Sequence, residues 1–187
     1  ASSCGSLPIE LQTTKNIFAL MFLLRGIPFV DLAYLRKADI QGNTLKYRRR
    51  KTGRLLTVML TPDAIKLIRI VAKTKPESPY LFPFLSSPEG TEAAYHEYQS
   101  SLRMFNYRLS RLKKYMKTAA HLSSYTIRHT WATMAYYCEI HPGIISEAMG
   151  HSSIKVTETY LKPFQNEKID NANSQVISYV KEYASIV

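Results

Sequence analysis

In the stretch "SSYTIRHTWATM", residues 123–134, Arg128 stands beside His129 and ahead of apolar residues at helical spacing. A guanidinium held on a rigid helix can bind an anion through charge-assisted, often bidentate hydrogen bonds. The other reading is a surface arginine next to a core histidine. Arg25 poses the same choice, because it follows the apolar run "FALMFLL" at a helix end, where it is either a solvated cap or an anion ligand. Five basic residues fall in "RRRKTGR", residues 48–54: Arg48, Arg49, Arg50, Lys51 and Arg54. They read as a solvated hairpin edge that discourages strand aggregation, or as a tip that reaches into a groove. Strand alternation separates Arg48 and Arg50 from Arg49 and Lys51, so both faces are expected to be basic. An imidazole and a phenol complete the set, His151 in "MGHSS" and Tyr160 in "TETYL". A continuous helix would hold those two roughly 13 Å apart along its axis, so local spacing does not join them.

The composition favours a polyanionic partner. There are 25 Lys and Arg against 14 Asp and Glu, a net charge of +11, and such an excess neutralises phosphates and releases counterions. Nucleic acid leads; no segment pairs a clean apolar face with a basic one, as a membrane-surface helix does. The apolar run "IFALMFLLRGIPFV" is broken by Arg25 and Pro28, so no membrane span is expected, and no secretory signal is recognised. The two cysteines, Cys4 and Cys138, have no spacing that argues for a disulfide, which points to a reducing compartment and a cytoplasmic location. None of the five histidines forms an HxxxH pair and no CxxC occurs, so no metal and no cofactor are expected.

A chain of 187 residues can form one domain that buries about 70% of its unfolded surface. Helices are expected over 13–24, 28–35, 62–72, 91–119, 125–138, 144–149 and 152–160, with Pro163 ending the last. Residues 43–64 change period: two β-rich runs flank Lys51-Thr52-Gly53, a hairpin turn, and Thr61-Pro62 caps and opens the next helix. The buried face of the segment after Tyr125 is expected to be Ile127, Trp131 and Met134. An amphipathic tail runs over 167–184, with Ile169, Val176, Ile177, Val180 and Tyr183 at roughly helical intervals.

"YTIRHTWAT", "MGHSS" and "TETYL", with Tyr160 nine residues after His151, resemble the C-terminal boxes of the tyrosine recombinases, also called the phage integrase family. Arg25 in "LLRGIPFVDLAYLRKADI" resembles that family's first arginine box, and Lys51 in "KTGR" its hairpin lysine. The resemblance spans residues 11–164. "FVDLAYL" and "RHTWAT" look most like the integrases of conjugative transposons and related bacterial mobile elements. It implies an α+β fold, mainly α-helical with a small antiparallel β-sheet, the DNA breaking-rejoining catalytic domain of the family. Residues 7–187 are then a single catalytic domain with 165–187 as a C-terminal helical tail, and 1–6 are an added or linker segment. Family members carry a further N-terminal DNA-binding domain, so the chain is expected to be a catalytic fragment.

The resemblance also implies roles. Tyr160 is the nucleophile that forms a 3′-phosphotyrosyl bond. Arg25 and Arg128 hold the non-bridging oxygens, Lys51 protonates the 5′-oxygen, and His151 donates to the phosphate. Arg48, Arg49, Arg50 and Arg54 are read as DNA-binding. The partners implied are double-stranded DNA and a homotetramer on it, with the tail contacting a neighbouring protomer or else capping its own core. A type IB topoisomerase and a non-catalytic DNA-binding regulator are the alternatives. Two departures stand out. Tyr125 occupies the place where the family usually has histidine, with His121 nearby as a substitute imidazole. Asp31 lies two residues further from Arg25 than is common. His129 is expected to pack in the core behind Arg128.

Overall fold

A computed structural model describes residues 7–161 and 166–184. Helix α1 (Ile9–Leu23) runs through the centre, with α3 (Pro62–Val71), α4 (Glu92–Tyr115) and α5 (Thr126–Tyr137) packed against it. Between α1 and α3 come a short α2 (Phe29–Ala33), a 3-10 turn and a three-stranded antiparallel sheet, β1 (Ile40–Gln41), β2 (Thr44–Arg48) and β3 (Leu55–Met59), in the order β1-β2-β3. Helices α6 (Pro142–Met149), α7 (Ile154–Glu158) and α8 (Asn166–Ala184) follow α5. The fold is therefore the α+β arrangement the resemblance implied.

Local chemistry explains several boundaries. The Thr61 hydroxyl accepts from the Ala64 amide at 3.2 Å and the Thr91 hydroxyl from the Ala94 amide at 3.2 Å, so each caps its helix. Gly150 ends α6 in the left-handed conformation, φ 65°. His141, in a segment expected only to break a helix, instead opens α6 by accepting from the Gly143 amide at 3.0 Å. Two helices are shorter than their sequence pattern: α4 stops at Tyr115 ahead of Lys117, φ 50°, and α7 covers only Ile154–Glu158.

The main core joins Leu20, Met21, Leu24 and Ile27 to the inward strand residues Leu45, Tyr47, Leu56 and Val58 and to Phe105 and Leu109 of α4. Phe29 fastens α2 to α4 by stacking on Phe105 at 4.8 Å. A second, smaller core holds Ala132, Ile145 and Met149, with Trp131 and Tyr160 packed against it. Met134 is not part of either, being 46% exposed, because the helix turns that position away from both cores. The tail positions within the described residues, Ile169, Val176, Ile177 and Val180, are likewise exposed rather than laid on this core. The Pro163 helix stop, the Tyr183 side chain and residues 1–6 lie outside the described residues.

Candidate active site

The end of α1 and the start of α5 meet at Gly26. Arg25 and Gly26 both have positive φ, 61° and 66°, and a side chain at Gly26 would come within 3.0 Å of Arg128 Cα and 3.2 Å of Trp131 Cβ. Glycine is required there because α5 passes so close. Arg128 is 4% exposed, yet among the described residues no carboxylate pairs with it: its Nη1 donates to the Gly26 carbonyl at 3.0 Å and its Nη2 to the Met149 carbonyl at 2.6 Å. Neutral acceptors satisfy donors without cancelling charge, so the pocket keeps a buried positive field. Burial, followed by the Arg49 charge, pushes the Arg128 guanidinium below its ordinary value, while the Tyr160 phenol acts in the opposite direction.

Arg25 is half-buried, and its charge acts on the buried Tyr47 phenol together with those of Arg49 and Arg128. Burial, then Asp31, raises Tyr47 above its ordinary value against these three cations. The charges of all three arginines therefore reach the same buried phenol.

Residues 151–153 are not helical, so α7 restarts the chain in a new direction and brings Tyr160 back onto His151. Their rings stack with centroids 5.3 Å apart, where a continuous helix would have kept them apart. His129 lies on the Tyr160 ring at 4.2 Å, and Tyr125 meets His129 edge-on at 4.5 Å. The Tyr125 and Tyr160 hydroxyls are 3.4 Å apart. His129 is thus half-buried among tyrosines on the open side of the site, not packed in the core, because it projects from α5 on the side that Tyr160 covers. His121, by contrast, is exposed in the loop before α5.

His151 is 3% exposed; its Nδ1 shares a 2.8 Å hydrogen bond with the Thr157 hydroxyl, and its Nε2 is buried without a partner. Burial, then Arg128, Arg49 and Lys51, lower this imidazole to about 4, so it is neutral at physiological pH. A buried, neutral ring with one unused nitrogen is suited to a hydrogen bond with an incoming ligand.

The hairpin basics divide sharply. Arg49 turns inward, 6% exposed, where its Nη1 donates to Asp31 at 2.6 Å. Arg50 binds Glu89 at 2.5 Å and lies over the Tyr34 ring at 3.7 Å. Arg54 donates to the His151 carbonyl at 2.6 Å. Arg49 alone is buried; Arg48, Arg50, Lys51 and Arg54 are all exposed residues, Arg48 donating to the Gly53 carbonyl at 3.1 Å. The basic tip is therefore not charged alike on both faces: Asp31, 2% exposed, needs a cation and draws Arg49 inside. An acid within the apolar "PFVDLAYL" is the sequence signal for this pair. Thr52, Thr157 and Gly26, which place Lys51, His151 and Arg128, carry no comparable signal.

Residues 9–167 match the phage integrase family. No curated protein matches the sequence significantly. Among solved structures, XerA recombinase is 16% identical and aligns over 90% of this chain and 64% of that one, with a TM-score of 0.58. The Tn1549 transposon integrase in complex with transposon right end DNA is 14% identical over 92% of this chain and 61% of that one, TM-score 0.65. XerH site-specific recombinase bound to difH substrate is 16% identical over 90% and 48%, TM-score 0.62. The chain spans less than two thirds of the length of each of these three. Among the described residues no helix is long and apolar enough to cross a membrane.

Proposed function

The chain belongs to the phage integrase family, and from that premise we propose that it performs site-specific DNA cleavage and rejoining through a 3′-phosphotyrosine at Tyr160. The observation that carries this reading is the convergence on Tyr160: its ring is in contact with those of His129 and His151, and it interacts with the buried Arg128, with which no carboxylate among the described residues pairs. A phenol in a buried cationic pocket suits attack on a phosphodiester.

In the cleavage step the Tyr160 phenol gives its proton to solvent as its Oη bonds to phosphorus, the bond from phosphorus to the 5′-oxygen breaks, and the leaving oxygen takes a proton from the Lys51 ammonium. Arg25 and Arg128 hold the two non-bridging oxygens as their charge shifts. His151 Nε2, buried and unpartnered, donates to the same phosphate. The phosphotyrosyl ester retains the energy of the broken linkage, so a 5′-hydroxyl reverses the step without ATP. The net charge of +11 supports double-stranded DNA as the partner, and Arg48 is assigned a backbone phosphate contact. The assembly is a homotetramer on paired sites, in which the exposed apolar positions of α8, Ile169, Val176 and Val180, contact a neighbouring protomer.

The test is incubation with nicked suicide DNA, from which the cleaved end cannot rejoin. A covalent protein–DNA adduct is expected and is lost in Tyr160→Phe. No adduct with any DNA related to the element ends would leave a DNA-binding regulator. An adduct combined with supercoil relaxation by sub-stoichiometric protein would indicate a topoisomerase instead.

A further inference from the structure

Lys51 sits in a turn that is bound to the protein on both sides of it. Before it, Asp31 takes Arg49 Nη1 at 2.6 Å on one carboxylate oxygen and the Arg50 amide at 2.9 Å on the other. After it, the Thr52 hydroxyl donates to the Gly150 carbonyl at 3.0 Å and Arg54 Nη1 to the His151 carbonyl at 2.6 Å. The turn is also closed on itself, the Arg49 amide donating to the Arg54 carbonyl at 2.8 Å and the Gly53 amide to the Arg49 carbonyl at 2.7 Å.

The contact with Gly150 is close-packed as well as hydrogen-bonded. A Cβ there would stand 2.8 Å from Arg49 Cγ and 3.1 Å from Leu56 Cδ1, so the base of the hairpin rests directly on the left-handed turn before His151. Among the described residues the Lys51 side chain has no hydrogen-bond partner, although its charge is felt at His151. The two carbonyls gripped by Thr52 and Arg54 belong to the residue that ends α6 and to the histidine stacked on Tyr160.

From this geometry, and resting on the role given above to Lys51, we propose that Thr52 and Arg54 are positioning residues that fix the Lys51 ammonium beside His151 for protonation of the 5′-oxygen. Arg54 thus acts on the protein itself and not as a DNA phosphate contact. Freezing a short turn ahead of the reaction removes the ordering cost that a free lysine on an exposed hairpin incurs at each turnover. Misplacing a reacting group by about 1 Å costs on the order of a hundredfold. The carbonyl grips should therefore matter for leaving-group departure and little for attack by Tyr160.

A substrate whose scissile 5′-oxygen is replaced by sulfur separates the two steps. A thiolate departs unprotonated, its conjugate acid having a pKa of about 8.5, so it needs no general acid. The full chain and its Thr52→Val, Arg54→Ala and Lys51→Ala variants are assayed for single-turnover cleavage of both DNAs, and for binding to uncleaved DNA at several salt concentrations. On ordinary DNA, Arg54→Ala and Thr52→Val are expected to slow cleavage between about tenfold and about a hundredfold. On sulfur-bridged DNA all three variants are expected to return close to the unsubstituted rate, and Thr52→Val and Arg54→Ala are expected to keep binding and its salt dependence unchanged. Equal slowing of Arg54→Ala and Thr52→Val on both substrates, with Lys51→Ala restored, overturns the positioning role alone. Weaker binding by Arg54→Ala with a shallower salt slope shows a phosphate contact and overturns it too. Failure of sulfur to restore Lys51→Ala removes the assignment of Lys51 on which the proposal rests.

Discussion

The Tyr125 hydroxyl stands 3.4 Å from the Tyr160 hydroxyl, while the Tyr125 ring meets His129 edge-on at 4.5 Å. Hydrogen bonding to Tyr160, then burial, raises the Tyr125 phenol above its ordinary value, so it stays protonated near neutral pH. It is a neutral donor in the position where the resemblance places a titrating imidazole.

Tyr125→Phe keeps the ring that packs on His129 and removes only the oxygen. Cleavage of suicide DNA is expected to slow about tenfold, equivalent to about 1.4 kcal/mol of barrier, with DNA binding unaltered. Cleavage at the unsubstituted rate would show that the hydroxyl takes no part and that Tyr125 serves as packing alone.

Asp31 and Arg49 form a buried pair at 2.6 Å, with side chains 0% and 7% exposed. Asp31→Ala leaves the Arg49 guanidinium inside without an anion, and urea unfolding is expected to show a loss of about 3–5 kcal/mol. Adding Arg49→Met removes the stranded charge and should recover much of that loss. A double variant as unstable as Asp31→Ala alone would place the cost in lost packing.

These contacts also mark where the sequence ceases to be legible. The caps at Thr61 and Thr91 and the turn at Thr52-Gly53 depend on neighbours within three or four residues, so spacing reveals them. Arg49 turns inward because of Asp31, eighteen positions earlier; the acid in "PFVDLAYL" signals that some cation must pair with it, but nothing around residue 49 says which of the hairpin basics does. His151 reaches Tyr160 because residues 151–153 leave the helix; the expected bounds place a break at 150–151 but start the next helix at 152 and run it through Tyr160, so the return is not legible from them. Resemblance assembled Arg25, Lys51, Arg128, His151 and Tyr160 into one list, whereas helical periodicity alone misplaced Met134 and carried α7 too far.

The His151 imidazole gives a pH dependence with a definite sign. Burial and three nearby cations lower it to about 4 in the folded protein, against about 6.5 in an unfolded chain. Above about pH 6.5 the ring is neutral in both states and its contribution is complete. As pH falls from there towards about 4, the unfolded chain takes up a proton that the folded one refuses. Stability is lost across that window, by an amount of order 3 kcal/mol. Unfolding free energies at pH 7 and pH 4.5 should therefore differ more for the unsubstituted protein than for His151→Asn. An equal difference would assign the acid sensitivity to other groups.

Gly26 connects the two arginine boxes, since its carbonyl accepts from Arg128 Nη1 at 3.0 Å and its neighbour is Arg25. With φ at +66° and Arg128 Cα only 3.0 Å from the site of a Cβ, Gly26→Ala combines backbone strain with a clash against another backbone. The strain alone is about 1–2 kcal/mol, and the clash adds to it. The end of α1 must then move away from α5, which lengthens the Arg128 bond to the Gly26 carbonyl and shifts Arg25. Gly26→Ala is expected to lower stability by roughly 2 kcal/mol or more, and to reduce cleavage in the fraction that remains folded. Gly42, where no atom lies within 4 Å of an added Cβ, supplies the control, because its φ of +59° imposes similar strain without the clash. Gly42→Ala should lose stability but retain the cleavage rate of its folded fraction, and equal losses of rate in the two variants would show that the approach of Gly26 to Arg128 does not position the arginines.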